Sequence, residues 1–104
     1  MLTPNFTASQ SSGLPSNILL TDTSTGSDSS IVARRVYLLQ ADGTYLVPTG
    51  TTTQYILWAY ADSTISIDVL SQDTALSITV NWVDTNGDTV ETKTIAYGLS
   101  LIHI

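Results

Sequence analysis

The sequence predicts an all-β domain, a sandwich of about seven to eight short antiparallel strands. Three observations carry the expectation. Residues 75–83 (Ala-Leu-Ser-Ile-Thr-Val-Asn-Trp-Val) alternate strictly, with Leu76, Ile78, Val80 and Trp82 on one side and Ser77, Thr79 and Asn81 on the other. Successive side chains of a strand point to opposite faces, so this is a half-buried strand, and Trp82 marks it as the centre of a core. Turn signals rich in Gly, Pro, Asp, Asn and Ser recur about every 8–12 residues. Ser and Thr make up 30 of the 104 residues, and Glu occurs once, at Glu91. That composition favours strands over helices, and no window carries a capped helical stripe.

Taken in order, residues 5–10 form the first expected strand, with Phe6 and Ala8 on one face. Ser11-Ser12-Gly13-Leu14-Pro15 is a turn-rich link to a second strand over residues 17–22. The apolar run Ile18-Leu19-Leu20 is too short to decide which face of that strand is buried. Residues 23–30 are a polar loop crossing from one sheet to the other. Residues 31–40 are the third strand, with Val32, Val36 and Leu38 on one face and Ile31, Ala33, Tyr37 and Leu39 on the other. Arg34 shares the first face and Arg35 the second, so each face has one charge to place. Asp42-Gly43 predicts a two-residue type I′ hairpin, with Tyr45-Leu46-Val47 as the return strand ended by Pro48. After the polar connection 49–53, residues 55–60 (Tyr-Ile-Leu-Trp-Ala-Tyr) are apolar on both faces. Residues 63–70 alternate, with Ile65, Ile67 and Val69 inward, and Ser71-Gln72-Asp73-Thr74 turns into the central strand. Residues 84–88 are the last turn and 89–97 the last strand.

The formal net charge is −6, with only Arg34, Arg35 and Lys93 positive. Phosphate neutralisation dominates nucleic-acid binding, so an acidic chain without a basic patch argues against nucleic acid and against an anionic membrane surface. There is no cysteine, which removes disulfides, thiolate catalysis and Cys-type zinc sites. No signal peptide is expected at Met1-Leu2-Thr3-Pro4-Asn5, and no apolar run approaches the roughly 20 residues of a membrane-spanning helix.

Leu99-Ser100-Leu101-Ile102-His103-Ile104 reverse-translates to the transposon end used as a sequencing adaptor, with an in-frame stop following. The expectation is a single domain over residues 1–98, truncated at its C-terminus, and a non-native adaptor translation over 99–104. The only histidine, His103, then leaves the argument, and with it a Ser-His-Asp triad or a histidine metal site.

Chemical motifs are few. Asp84-Thr85-Asn86-Gly87-Asp88 has the look of a calcium loop but lacks the further oxygen ligands and the distant Glu, and reads as a hairpin turn. Asn5-Phe6-Thr7 matches a glycosylation acceptor but reads as an ordinary edge strand. Asp22, Asp28, Asp62, Asp68 and Asp73 are candidates for a hydrolytic carboxylate pair. Most of them fall in expected turns, where Asp serves its own backbone. Arg34 and Arg35 are candidates for pairing across an interface or with a nearby Asp of the same domain, and the second is favoured. Tyr55, Leu57, Trp58 and Tyr60 are the candidate interface. A strand apolar on both faces is either wholly core or covers its outer face with a partner, and an aromatic platform for sugar is a third possibility. No catalytic residue, metal ligand or cofactor is expected.

Leu20-Thr21-Asp22-Thr23-Ser24-Thr25-Gly26-Ser27, followed by Ile31 and a strand ending in Ala41-Asp42-Gly43-Thr44, resembles the opening half of PKD-like, immunoglobulin-type sandwiches. The aromatic "WDFGDG" form of their second motif is missing. The resemblance implies an immunoglobulin-like β-sandwich. A wider resemblance, covering most of residues 3–98, is to small structural proteins of tailed, crAss-like bacteriophages. It runs through residues 30–52 (Ser-Ile-Val-Ala-Arg-Arg-Val-Tyr-Leu-Leu-Gln-Ala-Asp-Gly-Thr-Tyr-Leu-Val-Pro-Thr-Gly-Thr-Thr). It continues in Ser66-Ile67-Asp68-Val69-Leu70 and Ile78-Thr79-Val80-Asn81-Trp82. An adaptor scar fits the same picture, because it points to an environmental sequence assembly, where phage genes are common. This resemblance implies a non-enzymatic tail- or neck-type virion component, made in the host cytoplasm, whose partners are other virion proteins or copies of itself. The alternative is a bacterial surface or secreted immunoglobulin-like module for adhesion or carbohydrate binding.

Overall fold

Alternation along residues 75–83 makes one strand, and its neighbours follow from the same pattern. The computed structural model describes residues 1–11, 16–47, 53–69 and 74–99. Of the expected connections at 11–15, 49–53 and 71–74, residues 12–15, 49–52 and 71–73 (Asp73 among them) lie outside the described residues, as do Pro48, Leu70 and residues 100–104 of the adaptor reading. Seven strands are described: β1 (Phe6–Ser11), β2 (Ser16–Asp22), β3 (Ala33–Gln40), β4 (Ile56–Ala59), β5 (Thr64–Val69), β6 (Thr74–Val83) and β7 (Thr89–Leu99). No helix occurs among the described residues, so none is long and apolar enough to cross a membrane.

The strands form two antiparallel sheets, a three-stranded one in the order β1-β2-β5 and a four-stranded one in the order β4-β3-β6-β7. Both sheets feed one core, an arrangement compatible with a β-sandwich. Phe6, Ile18, Leu20 and Ile67 enter it from the smaller sheet. Val36, Leu38, Trp58, Leu76, Ile78, Val80 and Trp82 enter from the larger. The four alternating residues of β6 are thus all buried, and β2 turns Ile18 and Leu20 inward and Leu19 out. Val32, expected beside Val36, is exposed, because regular pairing of β3 starts only at Ala33.

The turn at Asp42-Gly43 differs from the expected type I′. Only Gly43 has positive φ, at 89°, and Asp42 does not. Asp42 instead keeps its carboxylate close to the chain, accepting from the Thr44 N–H at 3.0 Å and the Thr44 hydroxyl at 2.6 Å. Gly43 N–H bonds the Gln40 carbonyl and Gln40 N–H bonds the Thr44 carbonyl, which is the three-residue connection closed by a left-handed glycine. The same bonds recur at Asp84–Gly87 and Asp84–Asp88 in the last turn. The return strand expected at Tyr45-Leu46-Val47 is reduced to one bridge, Leu39 to Tyr45, and a bond from Leu46 N–H to Leu38 O. Pro48, next in the sequence, has no N–H with which to extend it.

At the other end of the molecule Thr3 bridges to Thr25, which seats the buried Leu2. Gly26 follows at φ 76°, and a Cβ there would collide with the Met1 carbonyl. Gly26→Ala is expected to cost about 1–2 kcal/mol for the left-handed backbone, plus the displacement of the Leu2 segment. Gly43→Ala, which meets no atom within 4 Å, should cost the backbone term alone. Urea unfolding of the two variants measures the difference.

Candidate functional site

Arg34 and Arg35 sit side by side on β3 and so point to opposite faces. Arg34 faces the core and is 3% exposed. Its Nε and Nη2 each lie 2.7 Å from Asp22 Oδ2, at the end of β2 in the other sheet. Its Nη1 donates to the carbonyls of Ala59 and Asp62, and its guanidinium lies over the rings of Trp58 and Tyr60. Trp82 Nε1 adds a third donor to Asp22 Oδ2 at 3.2 Å, and Trp58 Nε1 donates to the Asp62 carbonyl. Burial pushes the Asp22 carboxyl up, but hydrogen bonds from Ser24, Trp82 and Arg34 outweigh it and hold the group below its ordinary value. The preference for an Asp of the same domain is met at Arg34. This cluster joins the two sheets through side chains that are mostly buried.

Arg35 faces the other way, onto the outer surface of the four-stranded sheet. Register sets Leu57 and Asn81 on either side of it. Its guanidinium lies 4.7 Å from the centroid of the Tyr55 ring, and its Nε has no acceptor among the described residues. Tyr37, two residues along β3, contacts both Tyr55 and Tyr45, with ring centroids 5.7 and 6.0 Å apart. Three tyrosines from separate segments therefore meet on one face. Beside them an open groove of about 270 Å³ is lined by Tyr37, Leu39, Tyr45, Thr79 and Asn81. Leu57 stands out of this surface, 62% exposed.

The four sequence-predicted interface residues divide. Tyr55 and Leu57 belong to the outer face. Trp58 is 1% exposed and lies in the core, and Tyr60 is half-buried against it over Arg34. The odd-numbered residues of β4 face out and the even ones face in, as the period of two requires. Sequence reasoning did not gather Arg35, Tyr37 and Tyr45 into the site. Their only signal was that β3 is apolar on both faces, with Tyr37 and Leu39 beside Arg35 on the face opposite Val36 and Leu38.

Three further Asp residues singled out in the sequence, Asp28, Asp68 and Asp84, have hydrogen-bond partners within the fold. Asp28 accepts from the Ser30 N–H and hydroxyl, and Asp68 accepts from Asn17 Nδ2. Asp84 Oδ1 accepts from the N–H groups of Asn86 and Asp88, which is the work of a turn residue. Phe6, in the glycosylation-like triplet, is buried. Among the described residues no three His, Cys, Asp or Glu side chains gather as a metal site. No family model and no curated protein matches the chain.

Proposed function

We propose that the chain is a non-enzymatic structural or assembly module of a phage virion, of the tail or neck type, working through protein–protein packing. We further read the fold as an immunoglobulin-like sandwich. Lettered A, B, C, C′, E, F, G in chain order, the two sheets read A-B-E and C′-C-F-G, and that order supports the reading. The virion setting rests on the phage resemblance of residues 30–52, 66–70 and 78–82. The observation that carries the packing role is the outer face of the four-stranded sheet. It brings Tyr37, Tyr45 and Tyr55 together beside the exposed Leu57. Tyrosine and Arg are enriched at interfaces, and covering apolar area contributes about 25 cal/mol per Å².

Leu57→Glu should weaken partner binding by tenfold or more, about 1.4 kcal/mol, without changing the melting temperature of the isolated chain. The test is to sequence the source DNA on both sides of this frame, co-produce the chain with the adjoining gene products, and follow co-elution. Portal, terminase or tail genes nearby, with co-elution lost in Leu57→Glu, are the expected result. Export or polysaccharide genes, or co-elution indifferent to Leu57, would overturn it.

One observation favours a second reading, an adhesion or carbohydrate-binding module. The groove beside Tyr37 and Tyr45 also presents Thr79 and Asn81, ring faces next to hydrogen-bonding groups. Glycan-array binding that disappears in Tyr37→Ala would move that reading to first place.

A further inference from the structure

Among the described residues β7 is the last strand of the four-stranded sheet, and β6 pairs with only one of its edges. The direction of its remaining backbone groups follows from the ladder. Leu46 N–H donates to Leu38 O, so Leu38 turns its backbone groups away from β6. Its register partner Ile78 then turns its own groups toward β7. Ile78 with Ile95 and Leu76 with Tyr97 are therefore the hydrogen-bonded pairs. The N–H and C=O groups of Thr94, Ala96 and Gly98 point outward along the edge.

The two halves of this edge are unlike. The first half carries a bulge opposite Trp82/Val83 and sets Glu91 and Lys93 on the inward-facing side, in register with Trp82 and Val80. Bulges and inward charges are the devices that keep other strands off an edge. The second half, residues 94–98 (Thr-Ile-Ala-Tyr-Gly), has no charge and no proline. Ile95 and Tyr97 are only half-buried at the rim of the core.

We propose that this second half pairs antiparallel with the same segment of a second copy, about a twofold axis at Ala96. The segment is complementary to itself. With Ala96 opposite Ala96, Thr94 falls opposite Gly98, so every outward-pointing residue meets another, and about six hydrogen bonds close between the copies. On the inner side Ile95 of each copy meets Tyr97 of the other, an aromatic and β-branched pair of the favourable kind. On the outer side Thr94, Ala96 and Gly98 are small and leave the axis uncrowded. The result is one continuous eight-stranded sheet (two four-stranded sheets joined at β7) with both tyrosine faces on the same side. This contact is separate from the tyrosine face and goes beyond the reading above.

The test uses the full chain and sedimentation equilibrium over a wide concentration range. Wild type is expected to form a reversible dimer. Ala96→Lys places two ammonium groups opposite each other on the axis, and Ala96→Glu places two carboxylates there. Each alone should weaken the dimer about fivefold or more, and an equimolar mixture should restore association as a mixed dimer. Ala96 is exposed on the outer side, so both variants keep the fold, checked by circular dichroism. Ala96→Pro removes an outward N–H without touching the β6 ladder and should also dissociate the dimer. A wild-type chain that stays monomeric, or charge variants whose mixture fails to associate, overturns the proposal. So does a dimer indifferent to Ala96 but lost in Leu57→Glu, which would place the contact on the tyrosine face instead.

Discussion

Arg34→Ala is expected to lower the free energy of unfolding by about 3–5 kcal/mol, because it leaves a buried carboxylate without its counter-ion. The guanidinium is 3% exposed and the Asp22 side chain 9%. The substitution also strips the Ala59 and Asp62 carbonyls of a donor and opens the space over the Trp58 ring. Asp22→Ala should cost a similar amount, by stranding the guanidinium instead. The double variant Asp22→Ala/Arg34→Met should lose less than the sum of the two single losses, since a buried pair replaced on both sides leaves no lone charge. Urea unfolding of the four proteins forms the cycle, and simple additivity would show that the pair does not act as a unit.

The same cluster sets an acid dependence. The Asp22 carboxyl is held below its ordinary value of 3.8 in the folded chain. The unfolded chain therefore takes up a proton at higher pH than the folded one. Its stabilising contribution is fully present above the unfolded value and is lost as pH falls through the folded one. Asp28 and Asp42, lowered by hydrogen bonds from Ser30 and Thr44, act in the same direction. Stability followed from neutral pH downward should fall below about pH 4. The fall should be shallower in Asp22→Asn, which has no proton to gain at that site.

Trp82→Ala is the second large effect, at about 3–5 kcal/mol. Trp82 is 0% exposed, and its ring meets Phe6 of the opposite sheet at 6.4 Å between centroids. Truncation removes that inter-sheet contact, leaves a void at the centre of the core, and takes one donor from Asp22. A domain of this size has about 5–15 kcal/mol in total, so the variant should be partly unfolded at moderate temperature. Trp82→Phe keeps most of the ring and should lose less. Leu57→Ala, on the exposed side of β4, should stay within about 0.5 kcal/mol of wild type. Thermal melts of the three rank the positions, and equal losses at Trp82 and Leu57 would contradict the division of the two faces.

The sequence by itself determined that the chain is built from strands, though not that the return strand at 45–47 shrinks to one bridge, and, wherever polar and apolar residues alternate, the buried face. Leu76, Ile78, Val80 and Trp82 are the clear case, since only one parity of β6 can face a core. The last turn at residues 84–88 was legible for a similar local reason, its Asp and Gly acting on backbone two or three residues away. Where both parities are apolar, alternation carries no sign. Only the sheet-on-sheet packing decided that Trp58 goes in and Leu57 out, and that Ile18 and Leu20 are buried while Leu19 is not. Asp42-Gly43 departs from type I′ because the Asp42 carboxylate, by bonding Thr44, holds a conformation that the dipeptide alone does not specify. Tertiary structure also decided where the charges of β3 go: Arg34 meets Asp22 across two sheets, at a sequence separation no local pattern spans. The tyrosine face has the same origin. Tyr37, Tyr45 and Tyr55 meet only because antiparallel register folds three separate segments onto one surface, and register is a property of the paired strands, not of any one of them.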